Sequence, residues 1–327
     1  MSDPSGVTAE AHGRYRYPDG ENPQMAELAV RLGQLLSTDG LAHLVLYDGD
    51  LAKVVLDADV SGDTDDEGVP LISRFHEQAG RRLYYLLEEL EPDFAELRTG
   101  ALIRTVLRVP SGAIFYYLVE PGLHLYGATT AADRIGELDE LVADCVNDLR
   151  TVVNYSPLDF GSYLSLKSET TARPTSWSRS DDPAPEHGAV VSASHPTPGP
   201  VIDPLRTALD LDGLHYIAYY AGDVYSADMF RHPALRRYFV ATTPQRRRDK
   251  YGRMGLLLPG VARRMNASLN AVLEGEVLQI VLDVEQGAVY YHALPGQRYL
   301  VGVTLDQSRV AEADQRVGRL GRELADG

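Results

Sequence analysis

The sequence predicts an α/β (α+β) fold made of two tandem copies of one small domain. Three observations predict it: helical and strand patterns follow one another in the same order twice, two blocks of residues recur in register, and a Ser-, Thr- and Pro-rich segment separates the copies. A chain of 327 residues is long enough for two domains with separate cores. The expected divisions are a disordered tail at 1–24, a first domain at 25–155, a flexible linker at 165–200 and a second domain at 201–325.

The repeat consists of two anchored blocks. Asp39-Gly40-Leu41 leads through an apolar run to Tyr47, and Asp212-Gly213-Leu214 leads in the same way to Tyr220. Further along, a block at 112–116 that begins Gly-Ala is followed by Pro121-Gly122, and a similar block at 287–291 is followed by Pro295-Gly296. Two blocks in the same order indicate a duplication, whereas Asp-Gly pairs alone would indicate only turns.

Each element of the first copy follows from its pattern. Leucines at helical spacing predict a first helix at 26–36, and apolar runs around a turn predict a hairpin at 41–47 and 51–56. The second helix is expected from Pro70 to Pro92, since proline suits a first turn and ends a helix. A meander at 101–109, 113–119 and 123–128 and a last helix at 135–149 complete the copy.

The second copy repeats these elements with one difference. A shorter first helix is expected at 204–209, a hairpin at 214–220 and 224–229, a meander at 276–284, 288–294 and 299–304, and a last helix at 310–324. Glycines and a Pro-Gly pair interrupt 244–271, which predicts two short helices there, one basic and one beginning at Val261.

The tail and the linker are expected to be disordered, because their polar composition cannot offset the entropy of ordering. Trp177 lies in the linker, either by chance or as a short docking motif.

Composition narrows the class of protein. The net charge of −16 would repel a phosphate backbone, so nucleic acid is not an expected partner. No apolar run reaches the length of a membrane span, and the polar start of the chain lacks the apolar core that a secretory signal needs. The single cysteine, Cys145, suits a reducing compartment and lies on an apolar stripe, so a cytoplasmic protein with a buried structural thiol is predicted.

Motifs for catalysis or for a metal ion are incomplete, and the sequence predicts neither an enzyme nor a cofactor. Asp57, Asp59, Ser61, Gly62, Asp63 and Asp65 follow most of a calcium loop, but Gly68 stands where the bidentate glutamate belongs. His76-Glu77 begins like a zinc-protease helix, but Gly80 replaces the second histidine. No phosphate loop or serine elbow occurs. Tyr290, Tyr291 and His292 have two interpretations: they line a ligand pocket over the sheet, or they simply pack within the strands. Packing is favoured, because aromatic residues are common in strands.

The element order resembles the Roadblock family, also called the dynein light chain Roadblock domain. Arg134-Ile135-Gly136-Glu137-Leu138 is similar to that family's entry into its last helix, although Arg134 replaces the usual asparagine and Arg309-Val310-Ala311 in the second copy also lacks the glycine. The resemblance implies, for each copy, a five-stranded antiparallel sheet with the second helix on one face and the first and last helices on the other. It also implies pairing of copies through second helices and, as in bacterial members similar to MglB, binding of a small Ras-like GTPase; other members are scaffolds.

The basic run at 246–250 falls in the second-helix region that this resemblance assigns to partner contacts. Arginine and tyrosine are enriched at interface hot spots, whereas most charge runs are solvated helix faces. We therefore predict a non-catalytic interaction module that regulates or scaffolds a small Ras-like GTPase as a pseudo-dimer, with further association into homo-oligomers left open. The alternative is a ligand-sensing or assembly scaffold protein without a GTPase. The predicted partner-binding residues are Arg246, Arg247, Arg248, Tyr251 and Arg253, with Arg81, Arg82 and Tyr85 on the second helix of the first copy.

Overall fold

The computed structural model describes residues 8–10, 13–18, 20, 23–36, 40–58, 62–171, 190–193 and 201–326. It confirms the α+β class, and the strand pairs described below for each unit are antiparallel. The chain forms two compact units. Unit 1 comprises Met1–Pro92, Ile103–Leu158 and Gly260–Leu278, and unit 2 comprises Asp93–Leu102, Asp159–Pro259 and Gln279–Gly327.

Unit 1 contains seven described strands in the order β1-β2-β4-β3-β7-β6-β5. The predicted hairpin is β3–β4, and the predicted meander is β5–β6–β7, with glycine-containing turns between the strands. The bounds are β1 Thr8–Glu10, β2 Gly13–Arg16, β3 Leu41–Asp48, β4 Leu51–Asp57, β5 Leu102–Val109, β6 Gly112–Glu120 and β7 Leu123–Thr129.

Helices cover both faces of this sheet. Helices α1 (Pro23–Leu36) and α3 (Ile135–Val152) pack together on one face, where Tyr117 of β6 donates a hydrogen bond to the Asp139 carbonyl at 3.0 Å. Helix α2 (Leu71–Leu97) covers the other face, where the hydroxyl of Tyr47 donates to the Glu77 carbonyl at 2.8 Å. Leucine and valine side chains between these layers form the buried core.

Unit 2 contains six described strands in the order β11-β12-β13-β9-β10-β8. Helix α6 covers one face, and α7 the other, with α5 packed against α7. The strand bounds are β8 Val190–Ala193, β9 Tyr216–Ala221, β10 Asp223–Asp228, β11 Gln279–Val284, β12 Gly287–Leu294 and β13 Arg298–Thr304. The helix bounds are α4 Tyr163–Thr171, α5 Ile202–Ala208, α6 Pro244–Leu269 and α7 Val310–Asp326. Short 3-10 helices lie at Ala132–Arg134, Phe160–Ser162, Pro233–Phe239, Pro295–Gln297 and Gln307–Arg309.

Equivalent residues of the two copies make equivalent contacts, which supports the duplication. Tyr47 packs on Gly80 of α2, and Tyr220 packs on Gly255 of α6 while donating to the Gly252 carbonyl at 3.3 Å. On the opposite faces, Arg104 hydrogen-bonds Asp139 and Gln279 hydrogen-bonds Asp314, and the partners are 35 residues apart in both cases.

The tail and linker predictions are wrong for the residues that the structure describes there. Within 1–24, β2 pairs with β4, and α1 already begins at Pro23. Within 165–200, residues 165–171 continue α4, and β8 pairs with β10. Edge pairing supplies backbone hydrogen bonds that side-chain composition does not reveal. Each unit therefore has more than the five expected strands, and Trp177 lies outside the described residues.

The second helices also depart from prediction. Helix α6 is continuous through Pro259, and α2 continues past Pro92 to Leu97. Buried apolar residues on both sides of each proline, such as Leu258 and Val261 in α6, supply packing that outweighs the proline penalty. The expected contiguous domains 25–155 and 201–325 are also not the observed units, because unit 1 takes in 260–278 and unit 2 takes in 93–102.

No helix among the described residues is both long and apolar enough to cross a membrane.

Candidate functional site

An open cleft of about 340 Å³ lies beside the first turns of α6 in unit 2. Arg246, Lys250 and Arg253 recur at helical spacing, so all three line the same side of the helix. Their neighbours are a fourth cation, Arg98, and two carboxylates, Glu96 and Asp249. Cations therefore outnumber carboxylates in this cleft, although the whole chain carries a net charge of −16.

Local hydrogen bonds fix the start of α6. The hydroxyl of Thr243 accepts from the Arg246 N–H at 3.2 Å, as a helix cap does. One turn on, the Gln245 amide donates to Asp249 at 2.8 Å, which holds that carboxylate against its own helix.

The cations of the cleft are only loosely neutralised by Glu96. The ammonium of Lys250 donates to the Glu96 carbonyl, but the Glu96 carboxylate lies 3.7 Å from Lys250 and 3.8 Å from Arg253. The side chain of Arg253 is 65% exposed. Exposed ion pairs at such distances contribute little, so these cations can exchange Glu96 for another anion at small cost.

A second cleft, of about 290 Å³, adjoins the first and is more apolar. Leu97 and Met254 form its buried wall, whereas Leu256 and Leu257 are 63% and 48% exposed. Two large exposed aliphatic side chains beside cations are typical of an interaction surface.

The structure separates the predicted partner-binding residues of α6 into two groups. Arg246 and Arg253 are exposed and line the basic cleft. Arg247, Arg248 and Tyr251 are buried, so the prediction that they form an exposed patch is wrong. A helix laid on a sheet must bury one side, and positions 247, 248 and 251 lie on that side.

Each buried residue of this group has a structural role. Arg248 donates to Asp228 at 2.5 and 3.0 Å, and Arg247 donates to the Leu97 carbonyl at 3.2 Å. The ring of Tyr251 packs 5.8 Å from that of Tyr216, and burial raises the pKa of Tyr251 to about 12. The phenol therefore stays neutral.

The predicted residues of the first copy lie in unit 1, on the exposed side of α2. The hydroxyl of Tyr85 donates to the Asp50 carboxylate at 2.7 Å, a hydrogen bond that raises the pKa of Tyr85, and Arg81 donates to the Asp50 carbonyl at 3.1 Å. Arg82 is exposed beside them. Both units therefore present exposed arginine on the second helix, but only the residues of α6 line the basic cleft.

Sequence reasoning missed a buried polar cluster in unit 1. His43 and Asp57 face each other across the β3–β4 hairpin with Nδ1 and Oδ1 2.5 Å apart, and Ser73 of α2 donates to the other Asp57 oxygen at 2.9 Å. The His43 ring stacks on that of His76 with centroids 4.4 Å apart. His76 Nδ1 lies 2.9 Å from the Tyr126 hydroxyl. Hairpin register could have paired His43 with Asp57, but no sequence signal brings the helix onto them.

This cluster contains serine, histidine and aspartate without the arrangement of a nucleophile. Ser73 hydrogen-bonds the carboxylate and not an imidazole, so no base is placed to take its proton. Burial, with the neighbouring His43 as a smaller cause, lowers the pKa of His76 well below its usual value. The geometry supports a structural role in joining α2 to the sheet.

The remaining candidates also have structural surroundings. Asp57 is buried in the cluster above, and Asp65 of the acidic loop is held by Arg74, whose hydrogen bond lowers the pKa of that carboxyl. Asp59 and Ser61 lie outside the described residues. Where the chain is described, no three or more His, Cys, Asp or Glu side chains are grouped so that they could hold a metal ion.

The strand aromatics pack in the core, whereas the cysteine that was expected to be buried lies at the edge of the core. Cys145 is partly exposed, and desolvation raises the pKa of its thiol to about 12, which disfavours the nucleophilic thiolate. Tyr290 is buried and donates to the Val310 carbonyl at 2.8 Å, and Tyr291 packs against Tyr299. Neither they nor His292 line the two clefts of α6.

No protein-family model matches the chain, and no curated protein matches its sequence.

Proposed function

We propose that this protein is an interaction module of two Roadblock-like units that binds a small Ras-like GTPase through the exposed side of α6. The observation that carries the proposal is the basic cleft of unit 2, where Arg246, Lys250 and Arg253 adjoin the exposed Leu256 and Leu257. Cations beside exposed aliphatic side chains match the composition of protein interfaces.

The architecture supports the Roadblock-like part of the proposal. Five strands of each unit, β4-β3-β7-β6-β5 and β10-β9-β13-β12-β11, follow the same order, and the second helix lies on the face opposite the last helix in both units. The proposal treats β1, β2 and β8 as additions at the sheet edge. The single cysteine suits a reducing compartment, so the proposal includes a cytoplasmic location.

The test is a binding titration with the full chain. Small Ras-like GTPases of the source organism are purified, loaded with GDP or with a non-hydrolysable GTP analogue, and titrated by calorimetry. We expect at least one of them to bind, with affinities that differ between the nucleotide states.

A matched pair of variants assigns the surface. Arg246→Glu/Arg253→Glu should weaken GTPase binding about tenfold or more, which corresponds to about 1.4 kcal/mol. Arg319→Glu/Arg322→Glu makes the same charge change on exposed positions of α7, on the other face of the sheet, and should leave the affinity unchanged. Absence of binding by every GTPase in both nucleotide states would refute the proposed function.

A further inference from the structure

The two clefts of α6 form one continuous track. Glu96, Lys250 and Arg253 line both of them, so the basic cleft passes directly into the apolar one. From Arg246 to Leu257 the helix rises about 16 Å, at about 1.5 Å per residue. An extended segment of about five residues covers the same distance.

The charge of the track identifies the chemistry of its occupant. Four cations face three carboxylates, of which Asp93 lies in the apolar cleft and Asp249 is already engaged by Gln245. An anionic occupant would gain contact with Arg98, Arg246 and Arg253, which are all exposed. The exposed Leu256 and Leu257 require that the same occupant also carries apolar side chains.

We infer that the track binds an acidic peptide segment of a partner protein, with carboxylates in the basic cleft and one or two apolar side chains against Leu256 and Leu257. The acidic end lies toward Arg98 and Arg246, and the apolar end toward Leu257. The inference rests on the proposed function in treating α6 as the docking surface, and it adds the chemical class and the direction of the element that docks.

The duplicated helix indicates why the segment selects unit 2. At the positions of α2 equivalent to Arg246 and Lys250 stand Leu71 and Phe75, which are 38% and 40% exposed. In the proposed direction, the acidic end of the segment would meet apolar side chains there, and its apolar end would meet the exposed Arg81 and Arg82. The peptide should therefore bind α6 and not α2.

The probe is a fluorescein-labelled peptide with four glutamates followed by glycine, leucine and phenylalanine, titrated against the full chain by fluorescence anisotropy. We expect saturable binding of one peptide per chain that weakens as salt increases. A peptide with glutamine in place of glutamate, and one with serine in place of leucine and phenylalanine, should each bind at least tenfold more weakly. The reversed peptide tests the direction and should also bind more weakly.

Variants of the protein separate the two halves of the track. Arg246→Glu and Leu257→Ser should each reduce affinity for the peptide about tenfold, whereas Arg322→Glu should not, and circular dichroism checks that all three stay folded. Equal binding of the serine-substituted peptide, or full competition by inorganic polyphosphate without any effect of Leu257→Ser, would overturn the inference in favour of a simple anion site.

The outcome is distinguishable from that of the proposed function. If the peptide binds as expected but no GTPase does, the docking chemistry stands and the class of partner is wrong. If a GTPase binds and the peptide neither binds nor competes with it, the proposed function stands and this inference fails.

Discussion

The two units stabilise equivalent buried carboxylates with different partners. Asp57 ends β4 in unit 1 and Asp228 ends β10 in unit 2, each with its partner strand in the same register, and both are buried. In unit 1 the second helix meets the carboxylate with the hydroxyl of Ser73, and His43 supplies the other contact. In unit 2 the second helix supplies the guanidinium of Arg248 at the equivalent position.

This difference shows that the shared backbone requires a partner for the carboxylate but does not determine the chemical type of that partner. A carboxylate buried at the end of the hairpin needs a partner, because an unpaired buried charge is costly. The partner can be a permanent cation, as Arg248 is in unit 2, or an imidazole and a hydroxyl together, as in unit 1. His76 and Tyr251, also at equivalent positions, are both kept neutral by burial, which lowers the pKa of His76 well below its usual value and raises the pKa of Tyr251 to about 12.

The largest effect should come from removing the permanent cation. Arg248→Met leaves Asp228 buried without its guanidinium, and we expect the free energy of unfolding to fall by about 3–5 kcal/mol. Ser73→Ala removes one hydrogen bond while His43 remains against Asp57, so about 1 kcal/mol is expected. Urea denaturation followed by circular dichroism measures both.

Arg246→Met is the control for Arg248→Met, because it removes an exposed arginine from the same helix. Its free energy of unfolding should stay within about 0.5 kcal/mol of the wild type. An effect of Arg248→Met as small as that of Arg246→Met would mean that the buried ion pair is not what holds α6 to β10.

A second, smaller effect is expected at the Arg104–Asp139 pair. Arg104→Leu should destabilise unit 1 by about 3 kcal/mol, less than the loss of Arg248, because the Tyr117 hydroxyl still donates to Asp139 at 2.5 Å. The equivalent change in unit 2, Gln279→Leu, removes a neutral amide from Asp314 and should cost about 1–2 kcal/mol. Equal costs in the two units would show that the charge of Arg104 contributes nothing beyond its hydrogen bonds.

These pairs also show how much of the fold could be predicted from the sequence. Periodicity and turn residues predicted the hairpins, the meanders and the last helices, because each depends on local patterns. The burial of Arg247 and Arg248 could not be predicted, since a run of charges normally marks an exposed face, and their partners, the Leu97 carbonyl and Asp228, are known only from the structure. The strands in the expected tail and linker were missed because each has only three or four residues and lies in a stretch whose overall composition is polar.

The candidate surface was predicted in part for the same reason. Arg246 and Arg253 were identified from charge alone, and both line the cleft. Arg98, Glu96 and the exposed leucines were missed, because they join the site only when the end of α2 and the first half of α6 fold into one unit. The expected contiguous domains, 25–155 and 201–325, place residues 96–98 and α6 in different domains and therefore exclude that arrangement.

A fall in pH should affect the stability contributed by the two second helices differently. Because the folded-state pKa of His76 lies well below the 6.5 of an exposed histidine, the unfolded chain takes up the proton first as pH falls below about 6.5. Stability contributed by neutral His76 is therefore present above that pH and is lost toward acid, at up to about 1.4 kcal/mol per pH unit. His76→Phe should flatten this loss in urea denaturation between pH 7 and 5.

The control for that experiment is Tyr251→Phe at the equivalent position of α6, because burial raises the pKa of Tyr251 to about 12 and the phenol takes up no proton between pH 7 and 5, so this variant should keep the slope of the wild type. His124 in unit 1 and His215 in unit 2 also have pKa values lowered mainly by burial, His124 to about 4, so part of the acid sensitivity should survive in His76→Phe. A profile unaltered by His76→Phe would assign the whole loss to these other histidines.

The smallest effects test the packing that both units share. A methyl group added at Gly80 would overlap the ring and hydroxyl of Tyr47, and one at Gly255 would overlap Tyr220, so each tyrosine would have to leave the carbonyl that it hydrogen-bonds. Alanine favours a helix over glycine by about 1 kcal/mol, but overpacking against a buried ring costs about 1–3 kcal/mol, so a net loss of up to about 2 kcal/mol is expected at both positions. Gly252→Ala is the matched control, because nothing lies within 4 Å of an added methyl there, and it should raise stability by up to about 1 kcal/mol. Thermal denaturation of the three variants measures these differences. If Gly80→Ala and Gly255→Ala stabilise the protein as Gly252→Ala does, the tyrosine contacts do not constrain the second helices. The similarity of the two units would then be limited to their strand order.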